Sequence, residues 1–155
     1  MPLKFVKGDI LDAKDGIIGH QVNCQMVMGA GLAKKIRDKY PVVFSEYKTV
    51  MSAYPVNMRL GKCQMVEAIP KTLYIANLFG QYHYLPRNRV HTDYNALGMA
   101  LRNLNRWRST TFGDDFHIYL PRGLGCGLAG GDWKVVEGII SVAVPNAIIV
   151  RYIEK

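Results

Sequence analysis

Gly16-Ile-Ile-Gly-His-Gln-Val-Asn-Cys-Gln-Met-Val-Met-Gly-Ala-Gly-Leu32 is the stretch on which the reading of this chain turns. Its first part, Gly16 to Val22, is a short apolar run of strand type, and from Gly31 onward Leu32, Ile36 and Tyr40 recur at helical spacing. Between them lies a turn carrying Gly29 and Gly31. A strand that passes through such a turn directly into a helix is the architecture of a phosphate site. Glycines let the backbone come close to an anion, and the free N–H groups at the helix start carry partial positive charge toward it. The stretch lacks the Lys-Ser/Thr ending of a Walker loop and the G-x-G-x-x-G spacing of a dinucleotide-binding turn. Taken alone, it reads equally well as a plain tight turn.

The same grammar recurs late in the chain. Phe116 to Leu120 reads as a strand, Asp132 to Val144 as a helix with Trp133, Val136, Ile139 and Ile140 on its apolar side, and between them runs Pro121-Arg-Gly-Leu-Gly-Cys-Gly-Leu-Ala-Gly-Gly131, with five glycines. Two such loops on one sheet would share a crevice beyond the carboxyl ends of the strands and grip two phosphates. Working outward, Leu3 to Lys7, Lys62 to Ala68, Thr72 to Phe79 and Asn146 to Ile153 read as strands, with a turn at Pro70-Lys71. Pro41 breaks the first helix and opens a second, through about Tyr54. Asp93 caps a helix with Leu97, Leu101 and Leu104 on one face and Arg102 and Arg106 turned away. Strands alternating with helices predict an α/β sandwich around a central, mainly parallel or mixed sheet.

Bulk properties bound the rest. With 155 residues, 49% apolar and 21% charged, and no internal repeat or linker, the chain reads as one domain over 1–155. No apolar run approaches the length of a membrane span and the start does not resemble a signal peptide, which predicts a cytosolic protein without membrane partners. Cys24, Cys63 and Cys126 are widely spaced and odd in number, so they suit buried or site-lining thiols rather than a disulfide framework. His83, His91 and His117 have no metal-ligand spacing, so neither a metal nor a cofactor is expected. Twenty Lys and Arg against twelve Asp and Glu give a net charge of +8, which favours an anionic partner, a nucleotide or a nucleic acid, or simply keeps the protein soluble.

Smaller signals gather near the first loop. Asp9, after the first strand, is placed to accept a hydrogen bond from a base amino group, though Gly-Asp is more commonly a turn. His20 and Asn23 lie three apart at the end of the second strand, within reach of a sugar hydroxyl or a water. His20 has the proton affinity of a general acid or base and is also of the kind that serves structure alone. Tyr82 to His91 mixes aromatics with arginine, a composition that suits base stacking and phosphate contact or a mobile surface loop. Trp107 and Trp133 read as helix-packing residues.

Together, Lys7-Gly-Asp-Ile10, His20-x-x-Asn23, Met28-Gly-Ala-Gly-Leu32, Gly125-Cys-Gly-Leu128 with Trp133, and the closing Val150-Arg-Tyr-Ile153 resemble the macrodomain family, in the right order and nearly end to end. The likeness is to its small stand-alone branch of ADP-ribose-1″-phosphate phosphatases, terminal ADP-ribose glycohydrolases, DNA-directed antitoxins and phage proteins. It implies a three-layer α/β/α sandwich with a mixed, mostly parallel sheet and ADP-ribose lying across its top. Asp9, Ile10 and Ile153 would meet the adenine. Met28, Gly29, Ala30, Gly31 and Leu32, together with Gly123, Leu124, Gly125, Cys126, Gly127, Leu128 and Ala129, would surround the diphosphate and distal ribose. Asn23 would hold that ribose, and His20 matches a histidine of the phosphatase. The glycohydrolase type has a lysine near the position of Gln81 and an acid at that of Ala129, so a lysyl intermediate is not supported; Asp132 is the nearest acid in sequence.

The implied function is ADP-ribose binding with hydrolysis of ADP-ribose-1″-phosphate, Asn23 and His20 being the catalytic pair. The alternatives are removal of ADP-ribose from modified protein or DNA, and a non-catalytic reader of ADP-ribose or a related nucleotide signal. A phage-encoded chain would act in the host cytoplasm.

Overall fold

The computed structural model describes residues 3–153, so both ends of the span 1–155 lie outside the described residues. Six strands, β1 Lys4–Gly8, β2 Gly16–Asn23, β3 Cys63–Ile69, β4 Leu73–Gln81, β5 Ile118–Pro121 and β6 Ile148–Tyr152, form one sheet in the order β1-β6-β5-β2-β4-β3. Every neighbouring pair is parallel except the hairpin of β3 and β4. Four helices, α1 Gly31–Lys39, α2 Pro41–Met51, α3 Tyr94–Thr111 and α4 Trp133–Ala143, cover the two faces.

Coverage on both faces explains why β2 and β4 read as almost unbroken apolar runs rather than alternations. Ile18, Val22, Ile75 and Phe79 pack with Ile36 of α1 and Val43, Tyr47 and Met51 of α2. Ile17, Ala76 and Leu78 pack with Leu97, Leu101 and Leu104 of α3 and with Val136 and Ile140 of α4. The three-layer sandwich expected from the sequence is the fold observed, and both tryptophans pack, half-buried, against the second of these cores. No helix among the described residues is long and apolar enough to cross a membrane.

Local chemistry sets the ends of the elements. Asp93 caps α3 by accepting from the Ala96 N–H at 3.0 Å, and Asp132 caps α4 by accepting from that of Lys134 at 2.9 Å. Helix α2 stops at Met51 instead of running to about Tyr54, because the buried Arg59 turns its Nε to the carbonyls of Met51 and Tyr54. At the far end of the sheet Arg108 is also buried. Its guanidinium donates to Phe116 O at 2.7 Å, Asn105 Oδ1 at 2.7 Å and Asn146 Oδ1 at 2.8 Å, which ties the end of α3 to the segments entering β5 and β6.

The topology makes the site. Strand β2 leads into α1, which joins the core on one face, whereas its neighbour β5 leads into α4 on the other. The chain leaves two adjacent parallel strands in opposite directions, and a gap opens above their carboxyl ends.

Candidate functional site

The gap is a cavity of about 390 Å³ bounded by His20 to Asn23 at the end of β2, Val27 to Ala33, Gln81 after β4, and Pro121 to Ala129 with the exception of Cys126. Tyr84, Arg87 and Arg122 complete its wall. The volume falls within the range of small-ligand sites.

The sequence supplies this cavity with main-chain donors. The N–H groups of Gln25 and Val27 bond back to Asn23 Oδ1, and those of Leu124, Cys126, Gly130 and Gly131 bond within their own loop. Among the described residues, no acceptor is found for the N–H groups of Met28, Gly29, Ala30, Gly123, Gly125, Gly127, Leu128 or Ala129, and every one of these residues lines the cavity. Helix α1 starts from Ala30 with no side-chain cap, unlike α3 and α4, so its amino end also stays open toward the cavity. Unspent amides of this kind form a receptor for anionic oxygens.

A second set of bonds holds the walls. Asn23 is at the hub of the first loop: Oδ1 accepts from Gln25 N at 2.9 Å, Nδ2 donates to Val27 O at 2.8 Å, and the Tyr47 hydroxyl reaches Asn23 O at 2.6 Å. Burial raises the pKa of that hydroxyl, so it stays a neutral donor. Arg59 adds a bond from Nη1 to Cys24 O at 2.8 Å. The second loop hangs on Gln21, whose Nε2 donates to Gln81 Oε1 at 2.9 Å and Thr92 Oγ1 at 3.0 Å, while Thr92 donates to Gly125 O at 2.6 Å. Gly131 also donates to Gly125 O, and a Cβ on Gly131 would sit 2.6 Å from that oxygen, so only glycine closes the loop here.

Most of the residues expected from the sequence converge. His20, Asn23, Met28 to Leu32, Gly123 to Gly125 and Gly127 to Ala129 all line the cavity. Cys126 does not: its thiol turns beneath the loop to Leu124 O and packs on the α3–α4 core. Asp9, Ile10 and Ile153 also lie outside the cavity lining, at the ends of β1 and β6. There Asp9 caps a short turn by accepting from Leu11 N, Ile10 is buried, and Ile153, half-exposed, donates its N–H to Gly8 O. Asp132 is spent on capping α4, and Gln81 is held between Gln21 and His83 O.

Sequence reasoning missed Gln21, Thr92 and Arg122, whereas Tyr84 and Arg87 belong to the stretch from Tyr82 to His91 whose composition suits stacking and phosphate contact. Gln21 and His20 carry the one available signal: polar side chains in a strand covered on both faces must find partners inside.

His20 is 2% exposed, and burial pushes its pKa from 6.5 down to about 4, with the bond to Asn77 opposing the shift. The unfolded chain therefore takes up a proton below pH 6.5 that the folded protein refuses until about pH 4. Across that window stability falls on acidification and returns as the pH rises, by roughly 3 kcal/mol in full. Urea denaturation of the wild type at several pH values should show this slope, and His20→Gln should flatten it.

No family model matches the chain. It is 30% identical over 148 residues to an uncharacterized 17.5 kDa protein of phage T4, covering 90% of this chain and 88% of that one. It is 26% identical to the ADP-ribose 1″-phosphate phosphatase of Saccharomyces cerevisiae, over 89% of this chain and 90% of the relative. Among solved structures, the macrodomain of Mycobacterium tuberculosis DarG superposes with a TM-score of 0.76 at 24% identity, over 99% of this chain and 98% of that one. The sheet order, the two helical layers and this end-to-end likeness agree: the chain is a relative of the phage T4 protein and has the macrodomain fold.

Proposed function

We propose that the cavity binds ADP-ribose and that the protein hydrolyses ADP-ribose-1″-phosphate to ADP-ribose and phosphate. The observation that carries the reading is the set of unspent loop amides, all belonging to cavity-lining residues on two walls. Two phosphates side by side are the ligand group that would use both walls at once. Arg87 and Arg122 add charge at the wall. Asp9, Ile10 and Ile153 lie beyond one end of the crevice, where the adenine of a ligand longer than the cavity would extend. The distal ribose then falls near Asn23, which keeps one amide hydrogen after bonding Val27 O. In the hydrolytic step the loop amides would stabilise charge developing on the terminal phosphate, and His20 would orient the attacking water. The name of the yeast relative supports this reaction.

A non-catalytic reader of ADP-ribose is the second reading, and one observation favours it. The positions where the glycohydrolase type carries a lysine and an acid hold Gln81, tied into the wall, and Ala129, while Asp132 is committed to its helix.

The test is calorimetric titration with ADP-ribose, ADP and AMP, followed by phosphate release from ADP-ribose-1″-phosphate against His20→Ala. Micromolar one-to-one binding with preference for ADP-ribose, and release above the variant, is the expected result. Binding without release selects the reader, and equal or absent binding of all three nucleotides removes both readings.

A further inference from the structure

His20, Asn77 and Gln64 are direct cross-strand neighbours on β2, β4 and β3, on the face covered by α1 and α2. All three are buried, and they form a chain: His20 Nε2 lies 2.6 Å from Asn77 Oδ1, Asn77 Nδ2 lies 3.0 Å from Gln64 Oε1, and Gln64 Nε2 lies 2.9 Å from Glu46 O of α2. The last partner fixes the direction of the whole chain. A main-chain carbonyl only accepts, so Gln64 must present its NH2 to Glu46 and its oxygen to Asn77. Asn77 must then present its NH2 to Gln64 and its oxygen to the imidazole. Nε2 of His20 is left as the donor, so the other ring nitrogen, in the neutral ring, is a bare lone pair. That atom, Nδ1, is buried and has no hydrogen-bond partner, on a residue that lines the cavity.

We propose that His20 is a hydrogen-bond acceptor fixed in its Nε2–H form by Asn77, Gln64 and the Glu46 carbonyl, and that its Nδ1 receives the proton of a ligand sugar hydroxyl. This rests on the ADP-ribose reading above. An ionised phosphate oxygen carries no proton to give and would face a lone pair, so the histidine sorts what lies beside it: hydroxyls are accepted and ionised phosphate oxygens are excluded from that point, while the loop amides do the reverse. The walls of donors and this acceptor thus set the direction in which a phosphate-sugar ligand enters. Asn77 and Gln64 are positioning residues, since neither lines the cavity. The same lone pair suits orienting water in hydrolysis and does not suit protonating a leaving group.

The experiment is long-range nitrogen–proton NMR of histidine-labelled protein, free and with ADP-ribose, at neutral pH. In the free wild type, Nε2 should show a protonated, pyrrole-type shift and Nδ1 a bare, pyridine-type shift. On adding ADP-ribose the Nδ1 resonance should move toward the hydrogen-bonded range while Nε2 stays in place. Asn77→Leu should lose the fixed form and bind ADP-ribose about tenfold more weakly, with AMP affinity unchanged; a purely packing role would weaken both ligands alike. An Nδ1–H or doubly protonated ring in the free wild type overturns the proposal, whatever the variant does. Tight ADP-ribose binding with Nδ1 unmoved also overturns it, while leaving the ADP-ribose reading intact. If ADP-ribose does not bind, the sugar contact falls with that reading, and the tautomer of the free protein separates this failure from a misassigned histidine.

Discussion

Gly125→Val should reduce ADP-ribose affinity by about a hundredfold, on the order of 3 kcal/mol, in protein that still folds. Gly125 sits at φ +71°, a region closed to β-branched residues, and a Cβ there would lie 2.9 Å from Gln21 Oε1 and 3.0 Å from Thr92 Oγ1. Neither neighbour is a free side-chain end. Gln21 Nε2 donates to Thr92 Oγ1, which fixes both side chains, and Thr92 donates to the Gly125 carbonyl. The valine cannot be accommodated without moving the wall that carries the Gly125, Gly127 and Leu128 amides. Calorimetry together with far-ultraviolet circular dichroism checks the result. Gly138→Ala is the control: it lies in α4 with nothing within 4 Å of a new Cβ, and should leave affinity unchanged. Wild-type affinity in Gly125→Val would mean that the second loop does not contact the ligand.

Arg108→Met should cost about 3–5 kcal/mol of stability. The substitution keeps most of the buried volume and removes every donor, leaving Phe116 O, Asn105 Oδ1 and Asn146 Oδ1 buried or half-buried without their partner. At this chain length the loss corresponds to a drop in Tm of roughly 10 °C or more. Arg108→Lys should recover only part of it, because a point charge cannot span three acceptors held by a planar fork. Since Arg108 lies where β5 and β6 begin and the cavity lies where β2 and β5 end, ADP-ribose affinity of the folded fraction should be unchanged. Guanidinium denaturation with and without ligand separates the two effects.

Local signals carried most of the architecture. The Leu97, Leu101 and Leu104 stripe, the Asp93 cap and the Pro41 break act through residues a few positions apart, and each element they predicted is present. Strand–glycine–helix grammar placed both phosphate-type loops for the same reason. What stayed hidden depends on neighbours set by strand order. Arg108 continues the Leu97, Leu101 and Leu104 stripe of α3, so spacing alone turns it inward, yet its bonds reach a turn and a strand entry that only the folded sheet brings beside it. His20 and Asn77 are 57 residues apart, and nothing in either segment says that β2 and β4 are adjacent. The stretch from Tyr82 to Val90 is exposed throughout, which matches its reading as a surface loop, and its Tyr84 and Arg87 also stand on the cavity wall.

The parting of the chain between β2 and β5 also sets when the protein becomes competent. One wall is complete once β4 has paired with β2, but the facing wall follows β5, which comes after the whole of α3 in the order of synthesis. Neither half of the chain carries both walls, so a ligand that needs the two together requires the fold that sets β2 beside β5.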